Sequence, residues 1–229
     1  MRTLHFTAND RKGADDVEAT IGHLVIAGWT GRNADALEAH IVELEKLGIA
    51  RPKSTPIFYR ASPELLTSGA TIQVVGTTSS GEVEPVLVSL GGELFLGVGS
   101  DHTDRKVEAI GVTISKQLCA KPVSATLWRL GEVADHWDDL VIRSHVTVAG
   151  KRRLYQEGAL AAMRHPRDLM TRYLGKDAML PAGTAMFCGT LAVHGEIAPA
   201  ELYELEIEDP VLHRSITHRY AVKTLPIEG

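Results

Sequence analysis

The segment from Ser80 to Arg105 constrains this chain most. It reads as a β-hairpin carrying three carboxylates. Val83-Glu84-Pro85-Val86-Leu87-Val88 is followed by Gly91-Gly92, a turn signal, and then by the apolar run Leu94, Phe95, Leu96 and Val98. Strand side chains alternate faces, so Glu82 and Glu84 point the same way. The returning strand ends at Gly99-Ser100-Asp101, which carries Asp101 back beside the glutamates. Three converging carboxylates repel one another unless a cation lies between them. All-oxygen ligation suits a hard divalent ion, Mg²⁺ or Mn²⁺ with Ca²⁺ as a third choice, over zinc or copper. The alternative is a solvated strand face with ordinary surface acids.

The rest of the chain reads as many short strands with few long helices, a β-rich α+β domain. A strand is expected near Leu4–Phe6, followed by an apolar segment over Leu24–Trp29. After Gly31-Arg32-Asn33 a helix is expected from Asp35 to about Leu47, with Asp35 and Glu38 as a capping box and Gly48 as its C′ residue. Its apolar stripe is Leu37, Ile41 and Leu44. Pro52, Pro56 and Pro63 mark a loop region. Residues 105–116 are ambiguous between strand and helix, and residues 128–140 suggest a short helix. Residues 140–148 alternate as a strand. Residues 158–174 look helical in part, interrupted at His165-Pro166, and Met186-Phe187, Leu202–Ile207 and Tyr220–Leu225 read as late strands.

At 229 residues the chain is long enough for one domain with a full core, and residues 1–229 are read as a single domain. The net charge of −5 comes from interspersed signs with no basic patch, so neither nucleic acid nor an anionic membrane is an expected partner. No apolar stretch is long enough to span a bilayer, and the N-terminus lacks an apolar signal core, so a cytoplasmic location is expected. Cys119 and Cys188 are expected to be free thiols.

Other chemistries find less support. There is no Gly-x-Ser-x-Gly elbow for a serine hydrolase and no Gly-x-Gly-x-x-Gly for a dinucleotide. His213 and His218 lack the companions of a zinc site.

Several segments, taken in order, resemble the fumarylacetoacetate hydrolase superfamily, and within it a bacterial branch known only as a domain of unknown function. Gly31-Arg32-Asn33 followed by His40-Ile41-Val42-Glu43 is similar to the family's Gly-Arg-Asn and the His-x-x-Glu of its lid helix. Pro56-Ile57-Phe58-Tyr59-Arg60 resembles its Pro-x-Phe-x-Lys segment, with arginine for lysine. Glu82, Glu84 and Asp101-His102-Thr103-Asp104-Arg105 resemble its metal ligands. Ser115-Lys116-Gln117, Gln156-Glu157-Gly158 and the stretch Pro181–Thr190 are similar to its later motifs. The chain departs from the family pattern in a shorter interval between Glu84 and Asp101, and in Cys188 and Leu191 where threonine and proline are usual.

The resemblance implies a mixed β-roll with a small helical lid and a homodimer. It implies Glu82, Glu84 and Asp101 as metal ligands. His40, oriented by Glu43, becomes a general base for water. Lys116 becomes a stabiliser of an enolate or oxyanion. Arg32, Arg60, Gln156 and Thr190 become contacts of a small oxo-acid substrate. For Arg32 and Arg60 a structural salt bridge is the alternative, for Lys116 a surface lysine packed by its stem, and for Thr190 a simple turn at a strand end. The implied activity is metal-dependent chemistry on a 2-oxo-acid or 1,3-diketone through a stabilised enolate, with C–C hydrolysis first. Hydratase or dehydratase, decarboxylase and isomerase reactions share that step. A non-catalytic metabolite-binding domain is the other alternative, and the pairing of His40 with Glu43 argues against it.

Overall fold

The computed structural model describes residues 1–11, 13–46 and 51–228, with the side chains of His40, Glu43, Leu44 and Lys46 outside that description. Two sheets dominate. The larger has eight strands in the order Gly13–Ile21, Arg2–Asp10, Thr126–Arg129, Glu93–Ser100, Val83–Leu90, Thr184–Phe187, His23–Gly28 and Ile57–Ala61. The smaller has five, in the order Lys151–Ala159, Val141–Val148, Leu202–Asp209, Arg214–Leu225 and Thr71–Val75. Parallel and antiparallel pairs mix in both, as a β-roll requires.

The central hairpin is a two-faced wall. Val83 and Leu87 enter one apolar cluster with Val98, Trp128, Ile142, Tyr155 and Tyr203, which lies between the sheets. Val86 and Val88 enter a second cluster with Leu4, Phe6, Ile21, Leu24, Leu127 and Phe187. Burial on both faces explains why this segment is apolar at nearly every position apart from Glu84 and Ser89. The Gly91-Gly92 turn has φ of 57° and 87°, a left-handed conformation that glycine adopts without steric cost.

Local sequence signals and observed elements agree over residues 140–148, 184–187 and 202–209. The strand expected at Leu4–Phe6 runs longer, over Arg2–Asp10, and the one expected at Tyr220–Leu225 begins at Arg214. Residues 105–116 resolve as two short helices, Arg105–Glu108 and Val112–Leu118, the first capped by the Asp104 carboxylate. The helix suggested for residues 128–140 is instead the end of a strand followed by 3₁₀ turns. The expected loop region contains the edge strand Ile57–Ala61, and two charged edge strands also have no counterpart in the sequence reading: Gly13–Ile21, with three acids, and Lys151–Ala159, with three leading cations. Their charge hides the strand periodicity while guarding a sheet edge.

The helix after Gly31-Arg32-Asn33 spans Ala34–Lys46. Asn33, not Asp35, caps it: the Asn33 side chain accepts from the Ala36 N–H at 3.0 Å, and its carbonyl accepts from the Leu37 N–H at 3.0 Å. Glu38 does not reach back to close a box; it accepts two bonds from Arg51, at 2.7 and 3.0 Å. Of the apolar stripe, Ile41 is buried and Leu37 half-buried, while Leu44 lies outside the described residues, as does Gly48. Among the described residues no helix is long and apolar enough to cross a membrane. Cys119 and Cys188 are free and buried.

Candidate metal centre

The hairpin does bring the three carboxylates together. Each of Glu82, Glu84 and Asp101 offers an oxygen within 4.8 Å of the others. Register explains it: Gly99 pairs with Glu84 and Ser100 with Val83, so Asp101 emerges opposite Glu82, and its N–H donates to the Glu82 carbonyl at 3.0 Å. Glu84 and Asp101 are 2% and 1% exposed, which separates this cluster from a solvated acidic face.

Three cations surround the triad. Lys116, in the helix Val112–Leu118, donates to Asp101 Oδ2 and lies 5.6 Å over the Tyr59 ring. Lys121 reaches the other Asp101 oxygen at 3.3 Å, and Arg105 lies 3.2 Å from Glu82. Burial alone would raise the Asp101 carboxyl, but Lys116 and Lys121 outweigh it and hold the group down at about 2. Glu84 shifts the opposite way, well above the usual carboxylate range, because it is buried and faces Asp101 and Glu82. The Lys116 charge and the Gly189 N–H oppose that shift. Burial would lower Lys116, yet Asp101 and Glu82 raise it. A buried carboxylate that cannot easily ionise alone, beside two further carboxylates, is a donor set fitted to a hard divalent cation.

The backbone on the far side of Glu84 is specialised for it. Gly189 donates its N–H to Glu84 Oε2 at 2.7 Å. At φ 97° a Cβ there would lie 1.8 Å from the Thr30 hydroxyl, so glycine is required twice over. Behind Asp101, the fully buried His102 bridges the Ser79 hydroxyl at 2.9 Å and the Tyr220 hydroxyl at 3.0 Å, and Tyr220 donates to Ser100. Burial, then Lys121 and Arg105, press the His102 imidazole down to about 3, so it sits there neutral.

The remaining expected site residues divide. Thr190 lies next to Gly189 but donates its hydroxyl to the Val83 carbonyl at 2.7 Å. Gln156 is fully buried. Its amide donates to Thr190 at 2.8 Å and the Leu191 carbonyl at 2.6 Å, and its oxygen accepts from the Val83 N–H at 2.9 Å. Both amide N–H groups are therefore committed to a clasp behind the glutamates. Arg32 is not brought to the triad: it pairs bidentately with Asp138 at 2.6 and 2.7 Å and donates Nε to the Met163 carbonyl. Arg60 follows Tyr59 on an edge strand, so it points away from Lys116; it bonds Tyr173 and His23 instead. Both arginines thus have protein partners, a salt bridge for Arg32 and hydrogen bonds for Arg60. His40 and Glu43 lie on the helix Ala34–Lys46, but their side chains are outside the described residues.

Sequence reasoning missed Lys121, the Gly189 N–H and Arg105 as parts of the centre. Lys121 had one signal, a lysine set in the otherwise apolar Cys119-Ala120-Lys121-Pro122.

Among curated proteins none matches the chain in sequence. Solved structures do match in fold. Cg1458 with inhibitor superposes at a TM-score of 0.68 with 18% identity, covering 93% of this chain and 81% of that one. Yeast ynq8, a fumarylacetoacetate hydrolase family protein, gives 0.62 and 17%, covering 91% and 95%. 2-Keto-3-deoxy-D-arabinonate dehydratase, complexed with magnesium and 2,5-dioxopentanoate, gives 0.62 and 18%, covering 90% and 74%. The fold is thus that of the fumarylacetoacetate hydrolase family, and residues 27–220 match the family described as protein of unknown function (DUF2848), to which this chain belongs.

Proposed function

We propose that this chain is a divalent-metal-dependent enzyme acting on a small 2-oxo-acid or 1,3-diketone, with C–C bond hydrolysis as its reaction. The observation that carries this reading is the convergence of buried Glu84 and Asp101 with Glu82, and Lys116 against Asp101. An ion held there, Mg²⁺ or Mn²⁺ before Ca²⁺, supplies Lewis acidity toward a chelated oxo-acid and its enolate. Lys116 is the mobile cation of the group: its partners are one carboxylate oxygen and a ring face, and it keeps a little exposure. Turned from Asp101 toward a ligand, its ammonium places positive charge where enolate or oxyanion charge develops. His40, oriented by Glu43 three positions along the helix, takes the proton of the attacking water. Thr190 and Gln156 act by holding the strand that carries Glu84, and Arg32 by anchoring the start of the lid helix to Asp138.

A lyase reading, loss or addition of water on a similar oxo-acid, has its own support. One protein of this fold is a dehydratase complexed with magnesium. Both reactions use the same enolate-stabilising residues. A homodimer is the expected assembly, supported by exposed apolar residues in the segment of the two short helices beside the centre: Ile110 between them, and Ile114 and Leu118 on the second.

The test is a panel of acylpyruvates and hydroxylated 2-oxo-acids with Mg²⁺ or Mn²⁺, with products read by NMR. Two carboxylic fragments indicate C–C hydrolysis, and a dehydrated oxo-acid the lyase. Absence of turnover, together with absence of any metal-dependent rise in melting temperature, would overturn the proposal.

A further inference from the structure

Lys121 is the least expected charge in this molecule. It is fully buried, in a two-residue strand paired with Leu66-Thr67. Its ammonium has three acceptors: the His102 carbonyl, the Cys119 carbonyl at 3.2 Å, and Asp101 Oδ1 at 3.3 Å. Three acceptors match the three N–H groups of an ammonium, where a neutral amine has two. Lys116 and Lys121 thus occupy opposite oxygens of one carboxylate, but they are not equivalent. Among the described residues Lys116 has one hydrogen-bond partner, and it is 7% exposed. Lys121 has three partners and is fully buried.

Arg105 adds a third cation, shared between Glu82 at 3.2 Å and Glu108 at 2.9 Å. A divalent ion entering such a centre meets carboxylate charge that is already partly offset by the two lysines on Asp101, so part of its own charge is left uncompensated. Only Lys116 can move aside. Lys121 stays beside Asp101, and its like charge disfavours a bare ion held by that carboxylate.

We propose that Lys121 is a fixed positioning cation that pins Asp101 and keeps the bare ion weakly bound, so that ion and anionic ligand enter as a pair. This rests on the metal-dependent reading above. The anion restores the balance that Lys121 withholds, which makes the coupling between the two ligands reciprocal. Binding of the ion is thereby confined to the moments when a substrate-like anion is present.

The experiment measures Mn²⁺ binding by titration calorimetry and by electron paramagnetic resonance, with and without oxalate. It compares the wild-type protein with Lys121→Gln and Lys121→Met. Glutamine keeps a donor for the His102 or Cys119 carbonyl without the charge, and so serves if the methionine variant does not fold. In the wild-type protein oxalate tightens Mn²⁺ strongly. In the variants Mn²⁺ alone binds about tenfold tighter or more, and the enhancement by oxalate shrinks by a similar factor. A merely structural role for Lys121 gives the reverse, weaker Mn²⁺ binding. Unchanged or weaker Mn²⁺ affinity in folded Lys121→Gln, with wild-type binding intact, overturns this inference alone. No Mn²⁺ binding by the wild-type protein in either condition overturns the metal reading and this inference with it.

Discussion

Gly189 donates its backbone N–H to the buried Glu84 carboxylate at 2.7 Å, across 105 positions of the chain. The bond ties a loop following the strand Thr184–Phe187 to the centre of the hairpin. It also fixes which Glu84 oxygen remains for an ion. A side chain at position 189 collides with Thr30 and must also adopt φ 97°. Gly189→Ala is therefore expected to destabilise the protein by about 3 kcal/mol or more and to weaken the metal response. Denaturant melts with and without Mn²⁺ check both. Wild-type stability in the variant would show that the loop relaxes freely.

Glu84→Ala separates the ion from the fold. Removing the buried Glu84 carboxylate should leave the folded state intact. Ligand-linked stabilisation exists only while the native state binds the ligand. Mg²⁺ or Mn²⁺ with oxalate should raise the melting temperature of the wild-type protein and leave that of Glu84→Ala unmoved. An equal rise in the variant would remove Glu84 from the ligand set.

Gln156 is a structural clasp. It ties Val83, Thr190, Leu191 and Ser144 through one buried amide. Gln156→Ala leaves the Val83 N–H and the Leu191 carbonyl without this partner, at an expected cost of about 2–4 kcal/mol. The urea midpoint measures it. A loss of substrate affinity with no loss of stability would instead restore a ligand-contact role for Gln156.

The helix Ala34–Lys46 is held by exposed ion pairs, Arg32 with Asp138 before it and Arg51 with Glu38 and Glu45 on it. Such pairs contribute little, so the helix is expected at the low-stability end of the fold. Hydrogen exchange over residues 34–46 should slow markedly with Mg²⁺ plus oxalate and change little with either alone. Strong protection without ligand would mark a rigid helix. His40→Ala should reduce turnover about a hundredfold while leaving Mn²⁺ binding near wild type. Full turnover in that variant would remove His40 from the chemistry.

His218 stacks on Tyr220 with its Nε2 unpaired, and burial lowers its pKa below the usual 6.5. The unfolded chain therefore binds a proton at His218 more readily than the folded one. Its contribution is present above the unfolded pKa and is lost as pH falls toward the folded value. His218→Phe should flatten the fall in stability between about pH 7 and pH 5. Parallel stability–pH curves for the two proteins would show that other groups set the slope.

Much of this architecture is written in short-range pattern. The two-residue period puts Glu82 and Glu84 on one face, Gly91-Gly92 returns the chain, and apolar alternation marks the strands of the smaller sheet. Each depends on neighbours a few positions away, so one sequence is enough to read it. The helix cap shows the limit even at short range, because Asn33 and Asp35 are both good caps and backbone entry at Arg32, fixed by Asp138 and Met163, selects the first. The charged edge strands escaped notice because their exposed faces carry no apolar period. What surrounds the carboxylates was decided only in three dimensions. Lys121 reaches Asp101 across 20 positions because Lys121-Pro122 pairs with Leu66-Thr67. Gln156 reaches Val83 across 73 because the smaller sheet packs on the hairpin. Arg32 and Arg60 have the charge for a substrate carboxylate, but strand alternation and the nearby Asp138 turn them elsewhere. Residue type states what chemistry a side chain can do, and the packing of the two sheets determines which side chains are close enough to do it together.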